Sequence, residues 1–169
     1  IHCANANCTS GSTITTVDGC SSCNLNADLG RHTSMVLNSS GYPVITYYDQ
    51  TNANLRLVVC GDANCSTGNT YTTVDGCASS PCVNNQDVGT YSTVRLNSSG
   101  NPVITYLNET EGDLEFVLCG NSTCSSGNTN STLDGCLTCT SNTFAGQYNS
   151  FEFDTTSSTC TSGTKEWKA

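Results

Sequence analysis

Short apolar runs alternate with polar, glycine-containing stretches along the chain. Residues 93–96 and 103–107 form two such runs, and the polar segment Asn97-Ser-Ser-Gly-Asn-Pro102 separates them. Gly100 can supply the positive φ of a tight turn, and Pro102 suits the first position of a returning strand, where no backbone donor is needed. The pattern predicts a β-hairpin.

Two further β-rich runs follow each hairpin. A third run covers residues 55–59 or 114–118 and ends at a cysteine, and a fourth, threonine-rich run covers residues 70–74. No segment repeats with the 3.6-residue period of a helix. We therefore predict an all-β fold whose unit is a four-stranded antiparallel meander, similar in size to a propeller blade.

The cysteines and the segments between them repeat along the chain. Their spacing is C-x4-C-x11-C-x2-C in the first and third copies and C-x4-C-x11-C-x4-C in the second, with a period of 57 to 59 residues. TTVDGC at 15–20 recurs at 72–77 and, as STLDGC, at 131–136, and LNSSGYPVITYYD at 37–49 matches LNSSGNPVITYLN at 96–108. We expect about three tandem, disulfide-stapled units, with repeats at 1–59, 60–118 and 119–169.

Both ends of the sequence interrupt a unit. Cys3 aligns with the cysteine that ends a third run, so that the first repeat begins mid-unit. After Cys139, residues 146–154 align with the first run at 89–97, and the sequence then diverges. Two unfinished sheets can complete each other within one chain or by strand addition between chains. A head-to-tail contact whose rotation does not close generates a filament.

The composition indicates a secreted chain. Leu, Ile, Val and Phe make up only 30 of the 169 residues, and the net charge is −9. Chains of this composition often fail to fold through burial of apolar side chains alone. In an oxidising compartment the 13 cysteines can replace a large core with a covalent framework. Five Lys plus Arg make nucleic acid and anionic membranes poor partners, and no apolar run is long enough for membrane insertion. Because the sequence starts at Ile1, we expect a mature chain whose leader has been removed.

Twelve cysteines fit the repeat and are expected to form disulfides. We prefer local pairing within each C-x4-C or C-x2-C segment, because these segments flank polar turns, while the cross-paired connectivities stay open. A zinc site of four cysteines and a redox C-x-x-C pair are weaker alternatives. Cys160 is left over, either as an interchain bond or as a re-paired terminal cysteine. The twelve are Cys3, Cys8, Cys20, Cys23, Cys60, Cys65, Cys77, Cys82, Cys119, Cys124, Cys136 and Cys139.

Asn-x-Ser/Thr sequons predict N-glycosylation in a secreted chain. Two of them lie at the hairpin apex, where a bulky glycan displaces no packed atoms. The C-x4-C loop carries a sequon in every copy, although the third has moved to the position of Asp62, which indicates that the attached sugar matters. The sequon residues are Asn7, Asn38, Asn64, Asn97, Asn108, Asn121 and Asn130.

No constellation of residues points to catalysis, and we expect neither an enzyme nor a cofactor. Arg31, Arg56 and Arg95 fall at three different places in the repeat, unlike the carboxylate-binding triad of sialidase-like propellers. The aspartate of each TVDG or TLDG string is typical of turns in which Asp caps its own turn. The polar loops at 49–54 and 109–113 offer oxygen ligands for calcium, but without EF-hand spacing.

The strings LNSSGNPVITY, NLRLVVCGDANC and TTVDG resemble the tandem blade-like repeats of large secreted microbial surface proteins of the β-propeller type. The similarity covers nearly all of residues 1–139 and rests on strand and turn motifs. It implies a blade-like scaffold and extracellular display, and it implies little about activity.

Together these observations favour a non-enzymatic extracellular structural protein, secreted or held at the cell surface. Its expected partners are copies of itself, joined head-to-tail into a fibre or surface coat. The second hypothesis is a carbohydrate-binding or adhesive β-propeller-like module, whose loops would bind a glycan or calcium.

Overall fold

A computed structural model describes residues 1–19, 27–76, 86–135 and 145–153. These residues form two four-stranded antiparallel sheets, and in each sheet the strand order follows the chain order. The predicted all-β meander is confirmed. The first sheet contains β1 (Leu29–Leu37), β2 (Pro43–Asp49), β3 (Asn54–Val59) and β4 (Thr70–Asp75), and the second contains β5 (Val88–Leu96), β6 (Pro102–Asn108), β7 (Asp113–Leu118) and β8 (Thr129–Asp134).

The expectation of three blade-like units is wrong for the described residues, which contain two complete sheets and no closed propeller ring. Two short pieces flank the sheets. In residues 1–19, His2 and Thr13 make an isolated antiparallel bridge. Residues 145–153 align with a first strand but do not form a strand. A strand needs a hydrogen-bonded neighbour, and no described residue pairs with this segment in a ladder. The expected repeat boundaries fall between β3 and β4 and between β7 and β8, so that each sheet draws on two copies of the sequence repeat.

The hairpin predicted around Gly100 is confirmed. Leu96 pairs with Pro102 across the turn, and Gly100 has a φ of 78°. Asn97 Oδ1 accepts hydrogen bonds from the backbone N–H groups of the residues two and four positions later, at 2.9 and 3.0 Å. Asn38 makes the same two bonds in the first sheet. The asparagine side chain therefore organises each hairpin apex.

A bulge interrupts the first strand of each sheet. The register shifts near His32 in β1 and near Tyr91 in β5, and both residues have a positive φ, of 50° and 53°. Such a φ is uncommon outside glycine. Because the bulge breaks the alternation that marks a strand, the run predicted at 93–96 proves to be only the end of a nine-residue strand.

The main core lies between the two sheets, where β5 lies across β1, β2 and β3. The residues at its centre are almost inaccessible to solvent: Val44, Leu55 and Leu57 of the first sheet and Val88, Val94, Ile104, Tyr106 and Val117 of the second. A smaller cluster joins the opposite face of the first sheet, through Tyr47 and Val58, to Val17 of the amino-terminal piece. The first sheet thus packs against the second sheet on one face and against the amino-terminal piece on the other. None of the described segments is a helix long and apolar enough to cross a membrane.

Candidate functional site at the contacts between repeats

A tyrosine on the second strand of each sheet reaches the aspartate of the preceding TVDG string. The Tyr106 hydroxyl donates to Asp75 Oδ2, and the Tyr47 hydroxyl donates to Asp18 Oδ2. The Oδ1 atom of each aspartate accepts the N–H of the next glycine, at 2.7 and 2.8 Å. The expected turn-capping role is confirmed at both positions. The same carboxylates also join each sheet to the segment that precedes it: Asp75 joins the second sheet to the first, and Asp18 joins the first sheet to the amino-terminal piece.

Both tyrosines remain protonated donors at physiological pH. Burial raises the pKa of Tyr106, and the charge of Asp75 raises it further. Burial and the hydrogen bond to Asp18 raise the pKa of Tyr47 in the same way. A phenol that keeps its proton acts as a hydrogen-bond donor in each of these contacts.

A glycine recurs at the position of the first strand, and at two of its three occurrences it allows close approach of the preceding sheet. A Cβ atom on Gly89 would lie 2.6 Å from Leu55 Cα, and one on Gly146 would lie 3.2 Å from Leu114 Cα. At the equivalent Gly30, a Cβ atom would meet no described atom within 4 Å. The three glycines share a positive φ, of 107°, 102° and 90°. The first two are therefore at a contact between repeats, and the third faces open space.

The open space beside Gly30 belongs to a cavity of about 280 Å³ between residues 1–19 and the first sheet. Leu29 and Ile45 line this cavity and are half-buried. Their equivalents in the second sheet, Val88 and Ile104, are fully buried at the contact between the sheets. The cavity thus occupies the same position relative to the first sheet that side chains of β2 and β3 occupy relative to the second sheet.

Exposed apolar side chains mark both ends of the pair of sheets. Met35 is 58% exposed, whereas Val94 at the equivalent position of the second sheet is 0% exposed. At the other end, Leu133 is 43% exposed, whereas its equivalent Val74 packs against the main core. The same repeat positions are therefore buried at the internal contact and exposed at the ends.

Three disulfides close the C-x4-C loops, with Cα atoms 4.7–4.8 Å apart. Cys3 is bonded to Cys8, Cys60 to Cys65 and Cys119 to Cys124, which is the local pairing preferred from the sequence. These bonds fit an oxidising environment. The remaining cysteines lie outside the described residues: Cys20, Cys23, Cys77, Cys82, Cys136, Cys139 and Cys160.

One side chain organises each C-x4-C loop. Asp62 accepts hydrogen bonds from the Ser66 hydroxyl and from the backbone N–H groups of Asn64 and Thr67, at 2.7, 2.7 and 2.8 Å. The bonds from Ser66 hold the pKa of Asp62 well below its usual range. Asn5 and Asn121 occupy the same position and accept similar backbone bonds in the other two loops. The shifted sequon at Asn121 thus coincides with a loop-organising position.

The sequon asparagines differ in their accessibility. Asn7, Asn64 and Asn130 are exposed, and Asn38, Asn97 and Asn121 are half-buried. Asn108 is only 4% exposed, and its Oδ1 accepts two backbone hydrogen bonds from the following loop. Asn121 Nδ2, the atom that would carry a glycan, donates to Ser126. The geometry therefore favours the exposed and apex sequons over Asn108 and Asn121.

The three arginines do not form a common site. Arg31 pairs with Asp28 at 2.5 Å, Arg95 pairs with Glu152 at 2.6 Å, and Arg56 lies 3.8 Å from Asp18. Each guanidinium therefore has its own carboxylate, and the structure does not assemble a carboxylate-binding triad from them.

Compared with known proteins, the chain matches no protein-family model, no curated protein sequence and no solved structure. The resemblance to β-propeller surface repeats stays a prediction.

An acidic group lies beside the contact between the sheets, and two of its three residues belong to the loop at 109–113 that the sequence offers for calcium. One carboxylate oxygen from each of Glu111, Asp113 and Glu115 lies within 4.8 Å of the other two. Burial raises the pKa of Glu115, and the charges of Asp75, Asp113 and Glu111 raise it further, against a hydrogen bond from Thr132 that lowers it. Aligning the two loops would have revealed the group, because its residues replace Asn52, Asn54 and Arg56 of the first repeat.

Proposed function

We propose that this chain is a non-enzymatic extracellular structural protein whose copies assemble head-to-tail into a fibre or surface coat. The observation that carries the proposal is the glycine contact that repeats along the chain. Gly89 and Gly146 each receive the backbone of a preceding sheet, and Gly30 has an unfilled apolar cavity in the same place. In the proposed assembly, a second copy of the chain fills this cavity.

In the proposed assembly, the contact between copies repeats the internal contact through a sheet that the two copies share, because residues 145–153 already lie on the second sheet of their own chain. In a homo-oligomer with a heterologous interface, a surface at one end binds a different surface at the other end. At the amino-terminal end, Met35 and Gly30 are exposed. The equivalent residues of the second sheet lie on its buried face. The carboxyl-terminal end exposes Leu133, which matches Val74 on the covering face of the first sheet.

The two flanking pieces support a shared unit at the junction. The backbone N–H of Ala145 donates to Gly112 O at 2.9 Å, just as Val88 donates to Ala53 O at 3.3 Å. Residues 145–153 therefore lie on the second sheet as β5 lies on the first. The His2–Thr13 bridge repeats the Val59–Thr70 pair of β3 and β4. One copy would supply the start of the shared sheet, and the next copy would supply its end.

The disulfides and sequons support an extracellular setting for this assembly. Disulfides persist where thiols are not kept reduced, and exposed sequons are glycosylated in secreted chains. Glycans on Asn7, Asn64 and Asn130, and at the apices on Asn38 and Asn97, would cover the sides of the stack. Such a coat would add solubility.

Replacement of Met35 tests the proposal, because an exposed residue can be changed without harm to the isolated fold. Burying a methionine stabilises a contact by roughly 1.5–3 kcal/mol, so that Met35→Asp should weaken association at least about tenfold. Ser98→Asp is the matched control, since it adds the same charge at an exposed hairpin apex and keeps the Asn97 sequon. Sedimentation and negative-stain electron microscopy report the assembly, and circular dichroism reports the fold.

We expect filaments from the unmodified chain and from Ser98→Asp, and folded monomers from Met35→Asp. Monomers of the unmodified chain at every accessible concentration would overturn the proposal, and so would filaments of Met35→Asp. Glycan-array binding by monomers would instead favour the carbohydrate-binding hypothesis.

A further inference from the structure

The loop before β7 differs in charge from the equivalent loop before β3 at four alternate positions. The first repeat has Gln50, Asn52, Asn54 and Arg56, whereas the second has Glu109, Glu111, Asp113 and Glu115. One positive charge is thereby replaced by four negative charges on the same backbone frame. In the first repeat Arg56 faces the TVDG carboxylate of Asp18 at 3.8 Å. In the second repeat a glutamate takes the place of that cation.

Asp113 is buried without full satisfaction of its hydrogen-bonding capacity. Its side chain is 8% exposed, and Oδ1 has no hydrogen-bond partner among the described residues. A buried polar atom without a partner costs roughly 1–3 kcal/mol, and more when it is charged. A side chain at Gly135 would collide with this carboxylate, whose Cγ would lie 2.3 Å from the added Cβ. The fold therefore confines this carboxyl group and leaves its Oδ1 atom without a hydrogen-bond partner among the described residues.

The carboxylates of the two neighbouring glutamates increase the negative charge around Asp113, which favours binding of a cation. Glu111 and Glu115 each place an oxygen within 4.8 Å of the other two ligand oxygens. The partners described for these glutamates are neutral, since Glu111 accepts from Gln86 at 3.4 Å and Glu115 accepts from Thr132 at 2.9 Å. The ion pairs found among the described residues use other carboxylates.

We infer that Glu111, Asp113 and Glu115 bind a calcium ion beside the contact between the two sheets. Calcium takes oxygen ligands at 2.3–2.6 Å, so oxygens on opposite sides of the ion lie about 4.6–5.2 Å apart, which fits the spread of the three carboxylates. Magnesium needs oxygens at 2.0–2.1 Å in a near-ideal octahedron, which is a tighter set. The ion supplies the positive charge that Arg56 supplies in the first repeat. This inference is independent of the assembly proposed above.

Calorimetric titration of the full chain with CaCl₂, and separately with MgCl₂, tests the site. Asp113→Asn is the main variant, because asparagine occupies this position in the first sheet and keeps the shape of the side chain. Glu109→Gln is the matched control, since it also removes one negative charge from the loop but leaves the three ligands in place. Glu115→Gln provides a second ligand variant if Asp113→Asn does not fold.

We expect the unmodified chain to bind calcium with a Kd of about 10⁻⁴–10⁻³ M, in the range of extracellular sites, and to bind magnesium more weakly. Calcium should also raise the Tm, because it binds the folded state. Asp113→Asn should lose at least about tenfold in affinity, and Glu109→Gln should stay within about threefold, since charge count and ligand set both tune the site. Absence of calcium heat and of a Tm shift in the unmodified chain would overturn the inference. Unchanged affinity in both ligand variants would overturn it equally, and equal binding of magnesium would refute the assignment to calcium.

Discussion

The hydroxyl of Tyr106 donates a hydrogen bond to the carboxylate of Asp75, which belongs to the other sheet. Tyr106 is 1% exposed and Asp75 also caps the turn after β4, so that one carboxylate holds both a local turn and a contact between sheets. The pair of Tyr47 and Asp18 repeats the arrangement at the amino-terminal piece.

Tyr106→Phe should lower the free energy of unfolding by about 1–3 kcal/mol, because it removes a hydrogen bond to a charged acceptor and leaves Asp75 half-buried without its donor. Denaturation in urea measures the change. The control is Tyr42→Phe, a half-buried tyrosine whose hydroxyl bonds to no described residue, which should change the value by less than about 0.5 kcal/mol. Equal losses in both variants would contradict the role of the Tyr106 hydroxyl.

Asp62 should make the stability of its loop depend on acid. Its pKa is lower in the folded chain than the unfolded value of about 3.9, so its contribution is complete above that value and is lost as the pH falls through the folded pKa. Asn5 and Asn121 perform the same task in the other loops without titrating in this range. Asp62→Asn should therefore keep the loop at neutral pH and remove this part of the acid sensitivity.

Unfolding free energies of Asp62→Asn and the unmodified chain, measured between pH 2 and pH 6, test this prediction. Other carboxylates titrate equally in both proteins, so that the difference between the two curves isolates Asp62. The difference should grow in favour of the variant below about pH 4. Parallel curves over the whole range would refute it.

Alanine at Gly89 and at Gly30 should have different costs in the monomer. Each substitution forces alanine into a positive φ, which costs roughly 1–2 kcal/mol. Only Gly89→Ala also drives a Cβ atom against Leu55, which adds the cost of overpacking and gives a total of about 2–5 kcal/mol. Thermal unfolding at low concentration measures both variants, and equal costs would show that the sheets do not approach closely at Gly89. If the proposed assembly is right, Gly30→Ala should also reduce filament formation.

Local patterns were sufficient to predict where the strands lie, although they gave only the second half of β5. The alternating runs, the turn residues and the cysteines that end β3 and β7 are all short-range signals, and the structure has a strand or turn at each of them. The number of complete sheets was harder to predict. Residues 145–153 carry the sequence of a first strand, but a strand forms only against a neighbour, and sequence similarity to β5 does not supply one.

The contacts between sheets could not be read from local patterns. Asp75 was interpreted as a turn residue, and its second role depends on Tyr106, which is 31 residues away. A column-by-column comparison of the repeats does contain the signal, because tyrosine, aspartate and glycine recur together at Tyr47, Asp18 and Gly30. The same comparison shows the acidic loop. What it cannot show is which of these recurring positions is covered and which is exposed.

The order of strands in each sheet has a mechanical consequence. In the proposed filament, a pull along the stack would separate the contacts between sheets before it separates the strands within a sheet, because each described sheet is made from strands that are contiguous in the chain. The tyrosine–aspartate junctions would yield first, while each covalently connected sheet stays folded. A thread built in this way would lengthen in steps under tension and shorten again as the faces meet.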